Sequence, residues 1–337
     1  MPRTIRRRPA PALVALLVAT TALLAACGGG DDAADEGTAA APAAEDGTVT
    51  VTHAYGETEV AVGPERVVSL DTQWTDVLLA LDAPPAGYAA DPTLEGGTYP
   101  WRGAGLGASE PIDVGRGASL SIPYEAVAAL QPDLIVVSFG VQSESDYERL
   151  SAIAPTIPLL GDEEVDAWQD MAEVAGRVLG DEEAAADLVA DAEAEAAAVR
   201  EALPGLEGAT VALANYVPGD AIYVVADPDD GSSTLFSQLG LEITPTILDR
   251  ADGATGRVEL SLENLDLLDS DVLVLFTNGA DPGDIPGYAN LPAVRSGAVA
   301  TLDYADVTGL NTPTPLSIPW SLERIRPALE AAAGGGG

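Results

Sequence analysis

The chain has 337 residues, of which 54 are acidic and 15 basic, giving a formal net charge of −39 at pH 7. Such an acidic surface argues against nucleic acid and anionic lipid headgroups as partners, because both would be repelled. A single cysteine excludes a disulfide framework, and a single histidine, His53, excludes a multi-histidine metal cluster.

The N-terminus carries the pattern of an export signal. Several arginines precede an apolar run of about 15 residues, shorter than the roughly 20 of a spanning helix. The run ends in Leu24-Ala25-Ala26-Cys27, which resembles the lipobox of bacterial lipoproteins, whose cysteine is acylated and begins the mature chain. We therefore predict a signal peptide at 1–26 and a flexible tether at 27–47, anchored by lipid alone to the outer face of the cytoplasmic membrane. The alternative is an ordinary secretory signal with an incidental cysteine.

Strand and helix patterns alternate over residues 48–180. Val49–Thr52 and Glu59–Val62 predict an opening hairpin with Gly56 in the turn. Apolar runs predict strands at Arg66–Leu70, Asp133–Val137 and Thr156–Leu160. Apolar residues at helical spacing predict helices at Gln73–Leu81, Pro123–Leu130, Glu144–Ala152 and Ala167–Leu179. The Gly- and Pro-rich stretch Asp91–Ser119 is predicted to be a long loop. This alternation predicts an α/β lobe with a mostly parallel sheet covered by helices on both faces.

A weak internal repeat predicts a second lobe of similar topology. Glu125, Leu130 and Asp133 have the spacing E-x4-L-x2-D, and the same spacing recurs at Glu263, Leu268 and Asp271. Each set leads into an apolar run of strand type. Between the lobes, an Ala- and Glu-rich segment at 181–203 predicts one helix of about 34 Å, ended by Pro-Gly. We therefore predict an N-terminal lobe at 48–180, a bridging helix at 181–203, a C-terminal lobe at 204–333 and a Gly tail at 334–337. A stiff bridge predicts small lobe motions.

Several segments resemble one known family. They include Val51–Val60 and Pro64–Val68, Tyr124–Ile135, Asp146–Thr156 and Pro315–Trp320. In this order they resemble the iron-siderophore substrate-binding lipoproteins of bacterial ABC importers, within the ferric-siderophore and cobalamin-type periplasmic binding protein superfamily. The resemblance implies two lobes bridged by one long helix, with a ligand in the cleft between them.

The resemblance also implies a site for a preformed metal chelate, with no metal ligands and no cofactor of the protein's own. Aromatic walls and arginine donors suit that task, and ligands of open α/β sheets bind where strands end. The candidates are Trp74, Tyr99, Trp101, Arg102, Arg116, Tyr216 and Arg257. Each has a packing alternative, and Trp320 is read as a core residue. The second-lobe loop at 226–233 carries acids where relatives often place Arg or Trp, which suggests a less anionic ligand.

Glu125 and Glu263 occupy matching places in the two halves of the repeat. In the family that the chain resembles, an acid on each lobe docks onto arginines of the membrane permease, so both are docking candidates. The alternative is that each carboxylate complements the dipole at a helix start.

Two classes of function remain open from sequence. The first is a monomeric, non-enzymatic solute receptor that delivers a small-molecule ferric chelate to an ABC importer permease, with haem or cobalamin as alternative ligands. The second is an exported hydrolase, for which no nucleophile and base can be paired, since His53 lies in the predicted hairpin and is read as structural.

Overall fold

The computed structural model describes residues 47–115, 121–138, 143–161, 165–251 and 256–335 of the chain. The expected signal peptide, the lipidation candidate Cys27, the tether before Gly47 and the ligand candidate Arg116 lie outside these residues. Within the described ranges, no helix is both long and apolar enough to cross a membrane.

The N-terminal hairpin is confirmed. Strands β1 (Thr48–His53) and β2 (Gly56–Ala61) pair antiparallel. The turn needs a glycine because Gly56 has φ 124°, a conformation that L side chains rarely adopt. The second strand starts three residues earlier than the sequence pattern predicts, because Thr58 already points inward in the alternation that continues to Val60.

The N-terminal lobe is built on a parallel sheet. Its strands are β3 (Val67–Ser69), β4 (Gly87–Ala90), β5 (Glu110–Asp113), β6 (Leu134–Val136) and β7 (Thr156–Ile157), in the order β5-β4-β3-β6-β7. Each neighbouring pair is parallel. Strand β5 corrects the prediction of an unbroken loop over Asp91–Ser119. Its Pro111 hides the strand signal in the sequence and is tolerated because β5 lies at the sheet edge.

Helices cover both faces of this sheet, as predicted. They are α1 (Thr72–Ala80), α2 (Tyr124–Ala129), α3 (Glu144–Ser151) and α4 (Trp168–Leu179). Helices α1 and α4 share one apolar core with Leu134 and Val136, while Val127 of α2 and Leu150 of α3 pack on the opposite face. Short 3₁₀ turns at Glu95–Gly97 and Pro100–Arg102 lie between β4 and β5.

One long helix, α5 (Glu182–Ala202), connects the lobes. Asp181 caps its start by accepting from the backbone N–H of Ala184, and Pro204 follows its end. The helix packs against α4 on one side and against helices of the C-terminal lobe on the other. Its buried stripe consists of Ala185, Ala192, Ala196 and Val199. At 1.5 Å per residue the helix is about 32 Å long, so the predicted bridging helix is present.

The C-terminal lobe has a mixed sheet. Its strands are β8 (Thr210–Tyr216), β9 (Ile222–Val225), β10 (Glu242–Ile243), β11 (Arg257–Leu260), β12 (Val272–Phe276) and β13 (Val299–Leu302). The order is β11-β9-β8-β12-β13, and β10 also pairs with β8. Strands β8, β10, β12 and β13 are parallel, whereas β9 runs antiparallel to both β8 and β11. The short connection from β8 to β9 requires a hairpin, because a parallel pair would need a longer crossover.

Helices again cover both faces. They are α6 (Gly231–Gln238), α7 (Pro245–Leu248), α8 (Pro292–Ser296), α9 (Tyr304–Asn311) and α10 (Ser317–Gly334), with a 3₁₀ helix at Leu262–Leu268. One core joins α5, α6, α9 and α10 to the sheet, and the other lies under α7 and α8.

The predicted repeat has a structural counterpart in the two lobes. Asp133, just before β6, accepts from the backbone N–H groups of Glu65 (2.7 Å) and Arg66 (2.9 Å), which lead into β3. Asp271, just before β12, accepts from the backbone N–H of Thr210 (2.8 Å) at the start of β8. In both lobes the repeated aspartate therefore fixes the start of the neighbouring central strand.

Candidate functional site

The strand order places a candidate ligand crevice in each lobe. The chain moves outward from β3 and then returns to the other side at β6, and it does the same at β8 and β12. Ligands of open α/β sheets bind outside the carboxyl ends of the strands at such reversals. Asp71 and Ser138 follow β3 and β6, whereas Tyr216 and Asn278 end or follow β8 and β12.

In the N-terminal lobe, Asp71 organises the strand ends. Its carboxylate accepts from the backbone N–H groups of Trp74 (2.8 Å) and Ser138 (2.6 Å). Burial raises the pKa of Asp71 to about 6, against the lowering effect of these hydrogen bonds. The indole of Trp74 donates to Ser138 Oγ at 3.0 Å, and its side chain is 1% exposed in the core under α1 and α4. Trp74 therefore packs in the core of the N-terminal lobe and holds Ser138, which follows β6, through its indole N–H.

The two lobes meet at a buried carboxylate, Asp76 of α1. Its Oδ1 atom accepts from Arg102 Nε at 2.6 Å, and its Oδ2 atom accepts from Trp101 Nε1 at 2.7 Å. Thr314 Oγ1, from the C-terminal lobe, also donates to Oδ2 at 2.8 Å. The side chains of Asp76 and Arg102 are both fully buried, so they form a desolvated ion pair that needs all of these hydrogen bonds.

An aromatic stack lies beside this ion pair. The rings of Tyr99 and Trp101 are 4.6 Å apart and 17° from parallel, and the Arg102 guanidinium lies 5.1 Å from the Tyr99 ring centre. Trp101 is partly exposed and also packs on helix α9 of the C-terminal lobe. A Cβ atom at Gly309 would lie 3.1 Å from the Trp101 ring, so the absence of a side chain there lets the indole approach.

A second hydrogen bond crosses between the lobes. Tyr304 of α9 donates to Asp91 Oδ2 at 2.7 Å, and Tyr99 donates to the same atom at 3.4 Å. Burial and the hydrogen bond to Asp91 raise the pKa of Tyr304, which keeps this phenol a proton donor. We call the whole set the lobe junction: Asp76, Asp91, Tyr99, Trp101 and Arg102 on one lobe, and Tyr304, Gly309 and Thr314 on the other.

Arg257 connects to the lobe junction through helix α6. Its Nη2 atom lies 2.9 Å from Asp230 Oδ2, and Asp230 caps the start of α6. A Cβ atom at Gly231 would lie 2.6 Å from Pro313, which directly precedes Thr314. The Arg257 side chain keeps 34% of its surface exposed. Helix α6, whose cap pairs with Arg257, thus lies close against the segment that carries Thr314.

Tyr216 lies at the reversal point of the C-terminal sheet. Its side chain is 8% exposed and belongs to the core beneath α7 and α8. Its carbonyl oxygen accepts from Asn278 Nδ2 at 2.8 Å, and the same Nδ2 atom lies 2.6 Å from Asn215 Oδ1. Asn278 adopts φ 52°, a left-handed conformation that asparagine tolerates better than most residues. The polar edge here is therefore formed by the two asparagines.

One match to a known family spans most of both lobes. The sequence pattern described as periplasmic binding protein matches residues 67–305, from the start of β3 into α9. The chain belongs to the periplasmic binding protein family.

Individual relatives extend across the same two lobes. The ferric enterobactin-binding periplasmic protein FepB of Escherichia coli O6:H1 is 29% identical over 284 residues, covering 78% of this chain and 86% of FepB. The probable siderophore-binding lipoprotein YfiY of Bacillus subtilis is 26% identical over 276 residues, covering 76% of this chain and 80% of YfiY.

Solved structures agree with the fold. A periplasmic solute binding protein from Mycobacterium smegmatis has a TM-score of 0.72 at 25% identity and covers 86% of this chain and 100% of its own. The iron uptake ABC transporter substrate-binding protein PiaA from Streptococcus pneumoniae has a TM-score of 0.67 at 25% identity, with the same coverage. The arrangement of two lobes with one bridging helix is thus that of known periplasmic binding proteins.

In this periplasmic binding protein, the ligand candidates among the described residues fall into two groups. Tyr99, Trp101 and Arg102 come together at the lobe junction, and Arg257 joins them through α6. Trp74 and Tyr216 are buried and belong to the apolar cores of the two lobes. Trp320, read as core, is partly exposed and donates to Asp306 at 3.0 Å.

Sequence reasoning missed the residues that hold the lobe junction together. These are Asp76, Asp91, Tyr304 and Thr314. One signal was present: Asp76 is a lone acid between the apolar positions Trp74 and Val77 of a predicted helix. A carboxylate on a buried helix face needs a cationic partner, and Arg102 supplies it.

The two docking candidates lie at the surface. Glu125 is exposed in the first turn of α2, and Glu263 is exposed in the first turn of the 3₁₀ helix Leu262–Leu268. Their positions fit either permease docking or the helix dipole. His53 lies in the hairpin, 5% exposed, with its Nε2 atom 2.9 Å from Thr58 Oγ1, and burial lowers its pKa. These contacts agree with a structural role for the imidazole.

Proposed function

We propose that this periplasmic binding protein is the solute receptor of an ABC importer and holds a ferric siderophore chelate between its lobes. FepB and YfiY, which support the proposal most directly, are named for ferric enterobactin and siderophore binding, and they match across both lobes. The Fe(3+)-citrate-binding protein YfmC of Bacillus subtilis, 28% identical over 265 residues, also carries a ferric chelate in its name.

The observation that carries the proposal is the partly exposed Trp101 between the lobes. It stacks on Tyr99 and packs on Gly309 of the opposite lobe. A siderophore supplies the iron ligands itself, so its receptor needs an apolar wall and a few oriented donors. Trp101 and Tyr99 supply the wall in this proposal, and Asp76 holds Trp101 in place through its indole N–H.

The donors in this proposal come from arginines on both lobes. The exposed part of the Arg257 side chain faces ligand oxygens. Arg102, whose side chain is fully buried, acts by packing on Tyr99 and pairing with Asp76. Arg116, which follows β5 in the chain, remains a candidate donor from outside the described residues. Trp74 and Tyr216 support the two crevices from the cores.

Delivery of the chelate completes the proposed role. Cys27 is acylated and tethers the chain to the outer face of the cytoplasmic membrane, as the name of the YfiY lipoprotein suggests for a relative. Glu125 and Glu263 contact basic residues of the permease, one from each lobe. The receptor acts as a monomer, and the stiff helix α5 limits the rotation of one lobe against the other.

A fluorescence titration tests the proposed function. The purified protein is titrated with iron-loaded siderophores, haemin and cobalamin, and quenching of tryptophan emission reports binding. Saturable quenching by at least one ferric siderophore, and a weaker response to its iron-free form, supports the proposal. Saturation by haemin or cobalamin without any response to ferric siderophores overturns it.

A further inference from the structure

The arginines around the lobe junction are each paired with a carboxylate. Arg102 pairs with Asp76 at 2.6 Å, and Arg257 pairs with Asp230 at 2.9 Å. A third pair lies on the same lobe as Tyr304, where Arg324 approaches Asp306 at 3.3 Å. Among the described residues of this zone, the positive charge is therefore already neutralised by the protein itself.

Further acidic side chains lie beside these pairs. Asp91 bridges the lobes through Tyr304, and Asp227 packs against Gly256 next to Arg257. The exposed Asp229 follows in the same loop. A cleft lined by one sign of charge focuses its field and repels ions of that sign, and the chain as a whole carries a net charge of −39. An anionic ligand would therefore enter against the field and compete with carboxylates for each arginine.

The Arg102 guanidinium is enclosed at the junction. Within the described part of the chain, Arg102 Nη1 is buried and has no hydrogen-bond partner. A buried donor of this kind is stabilised by an oxygen acceptor. Because Asp76 balances the charge of Arg102 and the Arg102 side chain is fully buried, this arginine offers no free positive charge to an anionic ligand.

Resting on the proposed function, we propose that the chelate is a ferric hydroxamate with zero or positive net charge. Hydroxamate groups balance the charge of ferric iron without excess and present carbonyl oxygens near the metal. Catecholate and citrate groups leave the iron chelate with net negative charge. The paired arginines and the acidic loop Asp227–Asp230 thus select against the chelate class for which FepB is named.

Competing chelates test this inference directly. Dissociation constants are measured by fluorescence for ferrichrome and ferrioxamine B, which are neutral and cationic hydroxamates, and for ferric enterobactin and ferric citrate. We expect the hydroxamates to bind at least tenfold more tightly, a difference of about 1.4 kcal/mol. Added salt should weaken the binding of ferrioxamine B and leave the binding of ferrichrome unchanged, since screening acts on net charge. Equal or tighter binding of an anionic chelate overturns the inference and leaves the proposed function standing.

A pair of variants tests the mechanism. Asp230→Asn keeps the capping group of α6 but removes the carboxylate that lies 2.9 Å from Arg257. It should improve binding of the anionic chelates by roughly tenfold, since a guanidinium that no longer faces this carboxylate attracts them more strongly. Asp229→Asn removes an exposed charge from the same loop and keeps the Arg257–Asp230 pair. It should change the affinity for the anionic chelates much less. Equal effects of the two variants overturn the role of the pair, and failure of every ferric chelate overturns the proposed function as well.

Discussion

Thr314 reaches across the lobes and donates a hydrogen bond of 2.8 Å to Asp76, 238 residues earlier in the chain. The same carboxylate accepts from Arg102 and Trp101 of its own lobe. One buried acid therefore sets the position of the aromatic wall and fixes the contact between the lobes. This relationship makes Asp76 a positioning residue for the proposed chelate site.

Replacing Asp76 tests this role. Asp76→Asn leaves the buried Arg102 without its anion, and breaking a buried pair on one side costs about 3 to 5 kcal/mol. We expect the free energy of unfolding, measured by urea denaturation, to fall by that amount. Thr314→Val removes one hydrogen bond and leaves the ion pair intact, so it should cost only about 2 kcal/mol. Equal losses in the two variants would show that the ion pair adds nothing beyond the bond to Thr314.

The pH dependence of stability tests the environment of Asp71. Burial raises its pKa from the ordinary value of 3.8 to about 6. The folded chain then binds this proton more tightly than the unfolded chain, so the group's contribution to stability rises as pH falls from about 7 to about 4. Over this fall in pH, the free energy of unfolding of the wild type should rise relative to that of Asp71→Asn. The rise should be about 1.4 kcal/mol for each unit by which the folded pKa exceeds the unfolded pKa.

Urea denaturation of both proteins at several pH values measures this difference. Asp187→Asn, on the exposed face of α5, serves as the control, and its difference from the wild type should stay flat. A flat difference for Asp71→Asn as well would place Asp71 in a solvated environment and contradict its role at the strand ends.

Local sequence patterns predicted the elements whose signals lie close together in the chain. Helix α5 was predicted because its small apolar stripe, the cap Asp181 and the stop at Pro204 fall within one segment. The hairpin and the alternation of strands and helices were predicted for the same reason. Strand β5 was missed because Pro111 in so short a segment reads as loop.

The site was harder to predict because its contacts are distant in sequence. Arginine is a residue type that often binds ligand oxygens, yet Arg102 turns inward to Asp76, which is 26 residues away in the chain. Nothing near Arg102 in the chain reveals that partner. Tyr304 and Asp91 are 213 residues apart, and only the meeting of the lobes brings them together. Tyr99 and Trp101 could be named as candidates from the sequence because they stand close to a basic residue within one loop segment.

Cys27 is the predicted point of lipid attachment. The chain has one cysteine, so acylation has no other thiol to use. Cys27→Ser should move the protein from the membrane fraction to the medium, as followed by immunoblot after fractionation. Retention of a processed Ser variant in the membrane would contradict the lipoprotein hypothesis.

Glu125 and Glu263 are predicted to dock onto the permease. Because both are exposed at helix starts, Glu→Gln at either site should leave chelate affinity unchanged and reduce uptake by cells, with a larger loss in the double variant. Glu195→Gln, exposed on α5, is the matched control. A helix-dipole role predicts instead a stability loss of at most about 1 kcal/mol per site and normal uptake. Normal uptake by the folded double variant would end the docking assignment.

The central claim is that a ferric chelate lies against Trp101 between the lobes, and equilibrium dialysis with iron-labelled chelate tests it most directly. Wild type, Trp101→Ala and Trp168→Phe are compared, with Trp168 as a buried aromatic of the core under α5. The account predicts that wild type and Trp168→Phe retain labelled chelate equally. Trp101→Ala should bind it at least about fivefold more weakly, since a lost aromatic contact costs roughly 1 to 3 kcal/mol. Undiminished retention by a folded Trp101→Ala variant would contradict the account.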